Sequence, residues 1–305
     1  MPLPLFRALP ALTAALACCM LVPMVARAAP GTPVITLFAA GDIARCAGRD
    51  PAWSGAAATA KLIEAGLAAD PHGAVLALGD LTYPRGAAAE FTDCYGPTWG
   101  AFRQRTYPVP GNHEYATPGA AGYFGYFGAV AAAGHYSVQL GAWRLYALDS
   151  NLGPAAHAAQ LAWLREELRR HPTRCSLAYW HHPLYSSGMH GNNARMRDVW
   201  QVLVEAGAEL VLSGHDHIYE RFAPQDADGR RDDAHGMRQF VVGTGGAHQT
   251  PLAWPLPNSE TGDSNVTGVL KLELGDDGYA WEFVEASNDG FGAHRPPDRG
   301  AARCH

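Results

Sequence analysis

Residues 208–217 read AELVLSGHDH: an apolar run through Leu210, Val211 and Leu212 that stops at Gly214 and delivers His215 and His217 two positions apart. Such a run, closed by a glycine, is the pattern of a buried strand entering a turn. Two imidazoles at alternate positions of extended backbone can reach neighbouring metal ions. Working outward, four more apolar runs end in polar clusters. Gly41-Asp42 follows 33–40, Gly79-Asp80 with Tyr83 follows 74–78, Gly111-Asn112-His113-Glu114 follows 106–110, and His181-His182-Pro183 follows 174–180. A lone Gly-Asp is an ordinary turn. Five clusters at five successive strand ends carry more, because open α/β sheets gather their ligands at the carboxyl ends of strands. Two Asp, one Tyr, one Asn and at least three His should therefore converge, and the expectation is a two-metal hydrolytic centre.

The segments between the runs give the fold class. Residues 54–69 (SGAAATAKLIEAGLAA) open on Ser54 as a cap and carry apolar side chains at helical spacing, so 33–40 and 74–78 are parallel strands joined by a helical crossover. Residues 154–170 are the strongest helical pattern, with Leu161, Leu164 and Leu168 on one face and arginines in the last turn. A further helix is expected over 195–205. Alternation on both sides of Gly141-Ala142 predicts a hairpin of 135–140 with 143–148, and 269–274 pairs with 279–284 across Asp276-Asp277-Gly278. Residues 87–102 read as a helix start followed by an aromatic loop, 123–134 as irregular, and 288–305 as a Gly-, Pro- and Arg-rich tail. The run Gly243-Thr244-Gly245-Gly246 lacks the Lys-Ser/Thr of a P-loop, and close backbone approach beside the metal site is its expected purpose. The class is α/β, with two stacked mixed β-sheets flanked by helices.

Composition narrows the setting. Arg7, the apolar stretch 8–25 and Ala26-Arg27-Ala28 read as a signal peptide over 1–28, leaving one domain over 29–305 and a periplasmic or secreted protein. Pro10 and Pro23 interrupt the stretch, which disfavours a membrane anchor, and Leu16 stands one place too late before Cys18 for a lipobox. Cleavage leaves 21 basic and 29 acidic side chains, a net charge near −8 with no basic stripe, so nucleic acid is not an expected partner. No other long apolar run follows, so no membrane contact is expected after cleavage. Oligomeric state is left open. Cys46, Cys94, Cys175 and Cys304 form no C-x-x-C pair and predict two disulfides in an oxidising compartment. Of three pairings, Cys46–Cys94 with Cys175–Cys304 is favoured, since Cys46 and Cys94 each follow a cluster at the proposed active face.

The ordered series Gly-Asp, Gly-Asp-x-x-Tyr, Gly-Asn-His-Glu, His-x-Pro and Gly-His-x-His resembles the calcineurin-like metallophosphoesterases, and among them the purple acid phosphatase branch, over roughly 38–246. The superfamily's first motif is Asp-x-His, with the histidine a ligand; here Ala44 occupies that place. The purple branch makes the same substitution and supplies a tyrosine from its second motif, where Tyr83 stands. The resemblance implies a metallophosphoesterase sandwich with Asp42, Asp80, Tyr83 and His217 on one metal and Asp80, Asn112, His181 and His215 on the other, Asp80 bridging. It implies Fe(III) at the first position and Fe(II), Zn(II) or Mn(II) at the second.

The same resemblance implies hydrolysis of small phosphate monoesters by a metal-held hydroxide, without a phosphoenzyme, His113 and His190 assisting the leaving group. A phosphodiesterase acting on cyclic nucleotides or lipid head groups is the nearest alternative. A non-catalytic metal-binding protein is disfavoured, because every ligand and the proposed acid are present. His182 is expected to be structural, with Asp216 and Glu220 orienting neighbouring imidazoles. His72, His157, His171, His235, His294 and His305 belong to the surface or tail, while His135 and His248 flank loops of the active face.

Overall fold

The computed structural model describes Met1 and residues 33–131, 133–286 and 297–305. The expected signal segment 1–28 and His294 lie outside the described residues. Thirteen strands are present among them: β1 (Ile35–Ala40), β2 (Ala74–Leu78), β3 (Thr106–Val109), β4 (Tyr136–Leu140), β5 (Trp143–Ala147), β6 (Cys175–Tyr179), β7 (Leu210–Ser213), β8 (Tyr219–Phe222), β9 (Arg238–Val242), β10 (Ser259–Asp263), β11 (Gly268–Leu274), β12 (Gly278–Glu285) and β13 (Arg299–Arg303). They form one six-stranded sheet in the order β13-β12-β11-β1-β2-β3 and one seven-stranded sheet in the order β10-β8-β9-β7-β6-β5-β4. Both are mixed. The strands that carry the motifs run parallel, β1 with β2 and β2 with β3 in one sheet, β5 with β6 and β6 with β7 in the other.

The period of two along each strand explains the layers. In β5, β6 and β7, Leu145, Leu177, Leu210 and Leu212 join a core shared by both sheets, while Tyr146, Ala178 and Val211 join a second core with helices Pro154–Arg170 and Arg197–Glu205. Aromatic pairs cross between the sheets: Phe240 with Trp281, Trp143 with Tyr279, and Tyr219 stacked on Phe283 at 4.1 Å. On the first sheet, helix Gly55–Ala69 packs so closely that a Cβ at Gly66 would enter the ring of Phe38. Ser54 caps that helix as expected, accepting the Ala57 N–H at 3.2 Å.

Four segments depart from the sequence reading. Residues 87–102 are helical turns, Ala88–Glu90, Phe91–Tyr95 and Trp99–Arg105, and 121–127 is a helix where irregular chain was expected. The cause is tertiary: Phe91, Tyr95, Tyr126 and Phe127 pack together with ring centroids 5.0 to 6.1 Å apart, and that burial overrides the weak helix propensity of the glycines between them. Strands β8 and β10 were not anticipated, the latter because SETGD has no apolar alternation and is recruited as an edge strand through backbone pairing alone. The tail supplies β13 as an edge of the other, six-stranded sheet.

The favoured disulfides both form. Cys46–Cys94 joins the loop after β1 to the turn at 91–95, and Cys175–Cys304 joins the start of β6 in one sheet to the end of β13 in the other. The second closes a loop of 129 residues, so its removal frees much of the unfolded chain. Cys304→Ala should lower stability by about 2–4 kcal/mol in denaturant titration, and all four cysteines should resist alkylation until reductant is added.

Beside that disulfide, the carboxylate of Glu209 is buried and accepts the backbone N–H of His305 at 2.7 Å. Burial pushes its pKa up from 4.5 to about 7. The folded protein thus holds this proton more tightly than the unfolded chain does, so stability falls as pH rises through that interval. Glu209→Gln keeps an acceptor for His305 and removes the titration. It should flatten the decline by on the order of 2 kcal/mol between about pH 5 and 8, read from urea midpoints at stepped pH.

Candidate metal centre

The pairing of β1 with β2 does not stop where the strands end. Asp42 N–H donates to Gly79 O, Ile43 N–H to Asp80 O, Ala44 N–H to Leu81 O and Tyr83 N–H to Ala44 O, each at 3.0 Å. This extension carries Asp42, Asp80 and Tyr83 out of the sheet together. Three candidate ligands, Asp42, Asp80 and His215, adopt positive φ of 59°, 51° and 72°, conformations uncommon for residues with a Cβ. The glycines before them leave room for close approach. A Cβ on Gly79, itself at φ 86°, would lie 2.5 Å from the His181 ring, and one on Gly111 would enter the Asp80 carboxylate.

All seven predicted ligands meet in one cluster. The Tyr83 hydroxyl lies 2.9 Å from Asp42 Oδ1, 3.3 Å from Asp80 Oδ2 and 3.1 Å from His217 Nε2. Next to it, His181 Nε2 lies 3.4 Å from Asp80 Oδ2, 3.2 Å from Asn112 Oδ1 and 3.3 Å from His215 Nδ1. Asp80 stands between the two groups. Two imidazoles are aimed by backbone carbonyls: His181 Nδ1 donates to Leu78 O at 2.9 Å and His217 Nδ1 donates to His248 O, which turns each Nε2 lone pair inward.

The chemistry of this donor set fits cations. Around His181 Nε2 stand a carboxylate oxygen, an amide oxygen and a second imidazole nitrogen, an array of acceptors that a proton or a metal ion must hold together. Electrostatics say the same. Burial opposes protonation of His181, yet Asp80 and Asp42 outweigh it and pull its pKa up to about 10. Burial and the neighbouring His181 push His215 down to about 3. Burial and the two carboxylates raise the Tyr83 phenol well above its usual range, a direction that a bound cation reverses. Among the described residues, acid and imidazole atoms close enough to hold an ion form two overlapping sets, Asp42-Asp80-His181 and His181-His182-His215.

His113 and His190 stand at the mouth. The His113 N–H donates to Asp80 Oδ1 at 2.8 Å, its Nδ1 donates to Pro84 O at 2.6 Å, and its ring packs 4.4 Å from that of Tyr83. His190 is exposed, with its ring 4.5 Å from that of His215. Both line a cavity of about 520 Å³ together with Tyr83, His217, Arg45 and His248.

The sequence reading missed several supports. Glu114 is fully buried and accepts N–H groups of Asp80 at 2.9 Å, Leu81 at 2.8 Å and Gly111 at 2.7 Å, so one carboxylate ties the second motif to the third. An acid three residues after Gly111, at the start of a helix, was the available signal. Asp149, Ser150 and Asn151 follow β5 in the same strand-then-cluster pattern; Asn151 Nδ2 donates to Pro110 O and Ser150 Oγ bonds His182 Nδ1 at 2.8 Å. His182 is buried as expected for a structural residue. Asp216 and Glu220 bond no imidazole; the outer nitrogens of His181 and His217 are taken by carbonyls. They hold the 186–190 loop instead, through Ser186 Oγ and His190 N–H to Asp216 and Ser187 N–H to Glu220. His248 belongs to the cavity wall, whereas His135 packs against Trp163 with the rings tilted. The glycines at 243–246 do serve close approach: a Cβ on Gly245 would lie 2.5 Å from Gly41 O.

With this geometry in view, residues 35–219, which include every candidate ligand, match the family model of the calcineurin-like phosphoesterases. The chain belongs to that family. Within it the likeness is to purple acid phosphatases. Purple acid phosphatase 21 of Arabidopsis thaliana is 31% identical over 120 residues, 37% of this chain and 25% of the plant protein, so the match spans a quarter of that relative's length. The purple acid phosphatase PPD1 from yellow lupin (Lupinus luteus) seeds superposes with a TM-score of 0.69 at 18% identity, over 88% of this chain and 54% of the lupin chain. GAP50, the anchor in the inner membrane complex of Plasmodium, also gives 0.69, at 14% identity over 90% of both chains. At such identities the superpositions show a shared fold.

In this family member, Glu114 is the residue whose loss should disturb the centre without touching it. Glu114→Ala strands three backbone N–H groups in a buried site, and a stability loss of about 3 kcal/mol or more is expected in denaturant titration. Metal content of the purified variant should fall with it.

Proposed function

We propose that this chain is an exported dinuclear phosphatase that hydrolyses small phosphate monoesters. The observation that carries the reading is the placement of the Tyr83 hydroxyl beside Asp42, Asp80 and His217, in a chain with Ala44 where the wider family's first motif has a histidine. Asp42, Asp80, Tyr83 and His217 would hold one cation, and Asp80, Asn112, His181 and His215 the other. Phenolate, carboxylate and imidazole suit Fe(III); amide oxygen with two imidazoles suits Fe(II), Zn(II) or Mn(II). Such a pair supplies charge neutralisation at the phosphoryl oxygens and acidifies water.

The chain's own groups do the rest. Asp80, anchored by the His113 N–H, positions both halves of the site. His113, held through Nδ1 by Pro84 O, directs Nε2 into the cavity and in its protonated form hands a proton to the departing alkoxide. His190, tethered through Asp216, assists from the opposite wall. Water adds to phosphorus, the ester P–O bond breaks, and an alcohol and inorganic phosphate leave. Two disulfides agree with export and with removal of residues 1–28, leaving a single catalytic domain over 29–305.

Turnover of a chromogenic monoester beside its bis-ester, with and without chelator, tests the reading. The monoester should be preferred and chelation should abolish activity. Asn112→Ala and His215→Ala should each lower kcat/KM by about 10²-fold or more, while His157→Ala, on the far pair with Asp198, should leave it unchanged. Tyr83→Phe should fold and lose the violet phenolate-to-Fe(III) band of the iron-loaded protein. A colourless iron-loaded wild type, or equal losses at Asn112, His215 and His157, would overturn the assignment.

A further inference from the structure

Five large apolar side chains stand in water among the described residues. Two of them, Met1 and Val34, lie towards the beginning of the chain; the other three, Trp53, Met189 and Trp254, belong to segments that border the mouth of the metal cavity. Trp53 walls a space of about 370 Å³ that shares Arg45, Ala47 and His248 with the cavity over the candidate ligands. Met189 directly precedes His190 of the cavity wall, and Trp254 sits on the segment that follows Thr250 of the same wall. Single exposed apolar residues scattered over a surface need no account, but three gathered around one opening mark a contact surface.

The backbone beneath holds these side chains out. Trp53 ends a short turn capped by Asp50, whose carboxylate accepts the Ala52 N–H at 2.9 Å, and the Trp53 N–H donates to Asp50 O at 3.1 Å. Trp254 lies between Ala253, whose N–H donates to Ser187 O at 2.7 Å, and Leu256, whose N–H donates to Ser187 Oγ at 2.9 Å. Ser187 thus ties the Trp254 segment to the loop that carries Met189. Both indoles are nevertheless 88% exposed. Positive charge surrounds them: Arg45, Arg49 and Arg85 are exposed beside the same opening, and none of the three pairs with a carboxylate among the described residues. The acids beside them in the chain, Asp50 and Glu90, direct their carboxylates to backbone N–H groups of Ala52, Arg85 and Ala87. A chain of net charge −6 therefore has a cationic face with apolar points on it.

We infer that this face docks on an anionic phospholipid surface. Trp53, Met189 and Trp254 enter the head-group layer, the arginines lie against lipid phosphates, and the metal cavity opens onto the lipid. Size and charge select this occupant. Three separated side chains offer far less than the about 1,200 Å² or more that a stable protein partner buries. A lipid interface is bound instead by a few indole and apolar insertions with basic side chains around them. The contact was not expected from the sequence, because the three side chains come from segments distant in the chain and no apolar run announces them. It lies on the lipid surface and spans nothing.

Cosedimentation of the protein with vesicles of phosphatidylcholine, alone or mixed with phosphatidylglycerol, tests this. The partition coefficient should be about tenfold or more higher on the mixed vesicles and should fall steeply between about 0.05 and 0.5 M salt. Trp53→Ala, Trp254→Ala and Arg49→Gln should each lower it about fivefold. Arg165→Gln, which removes the same charge from the helix Pro154–Arg170, should leave it within about twofold. Brominated lipid should quench the tryptophan fluorescence of the wild type, and less so that of either tryptophan variant. All substituted side chains are exposed, so circular dichroism of the variants should match the wild type. Failure to bind the mixed vesicles, equal binding to both kinds, or binding that the three substitutions leave unchanged overturns the inference. So does a dimer that Trp254→Ala dissolves in the absence of vesicle binding, which gives the face to a second copy of the chain. Binding is read without turnover, so its outcome is separate from that of the phosphatase reading.

Discussion

Burying two carboxylates side by side is the constraint on which this structure turns. Asp42 and Asp80 have almost no contact with water, at the ends of adjacent parallel strands. Unpaired, such groups would be intolerable. The chain answers with donors that only its tertiary fold can supply, the His215 N–H to Asp42 and the His113 N–H to Asp80, and sets the Nε2 atoms of His217 and His181 beside the carboxylates to share a cation with them. These stabilise the negative charge without saturating it. What remains is a field that draws cations to a point fixed by two sheets.

Rigidity is built in layers around that point. The backbone pairing of β1 and β2 runs past the last strand residues and sets Asp42, Asp80 and Tyr83 in register. Glu114 then locks the second motif to the third, and the 149–151 cluster locks the third and fourth from the other side. The floor of the site is thus strand ends and short turns held by hydrogen bonds between motifs. The walls come in part from loops, Arg45 and Ala47 from one and His190 from another. Such a division suits a centre that keeps one chemistry while its walls choose what enters.

The family relationship leaves that choice to the site itself. The same sandwich serves a lupin purple acid phosphatase and a membrane-complex anchor of Plasmodium with equal structural likeness. Fold therefore does not settle activity. The proposed catalysis rests instead on the candidate donors gathered around Asp80, which the fold alone does not provide.

Most of the site was legible because its residues are local: each candidate ligand sits within a few positions of a strand end, and strand ends announce themselves by apolar runs closed by glycine. The helices at 55–69 and 154–170 and both hairpins were legible for the same reason, since periodicity and turn chemistry are properties of neighbouring residues. Residues 121–127 were not, because four aromatic rings from two segments hold that helix in place. Glu114 and Asp216 show the same division within the site. Their acidity was visible, but which N–H groups they bind depends on chains 26 to 34 residues away. The sequence by itself determined which atoms could bind metal and that they lie at strand ends; the tertiary structure alone decided their distances and supports, because these arise where segments distant in the chain are packed together.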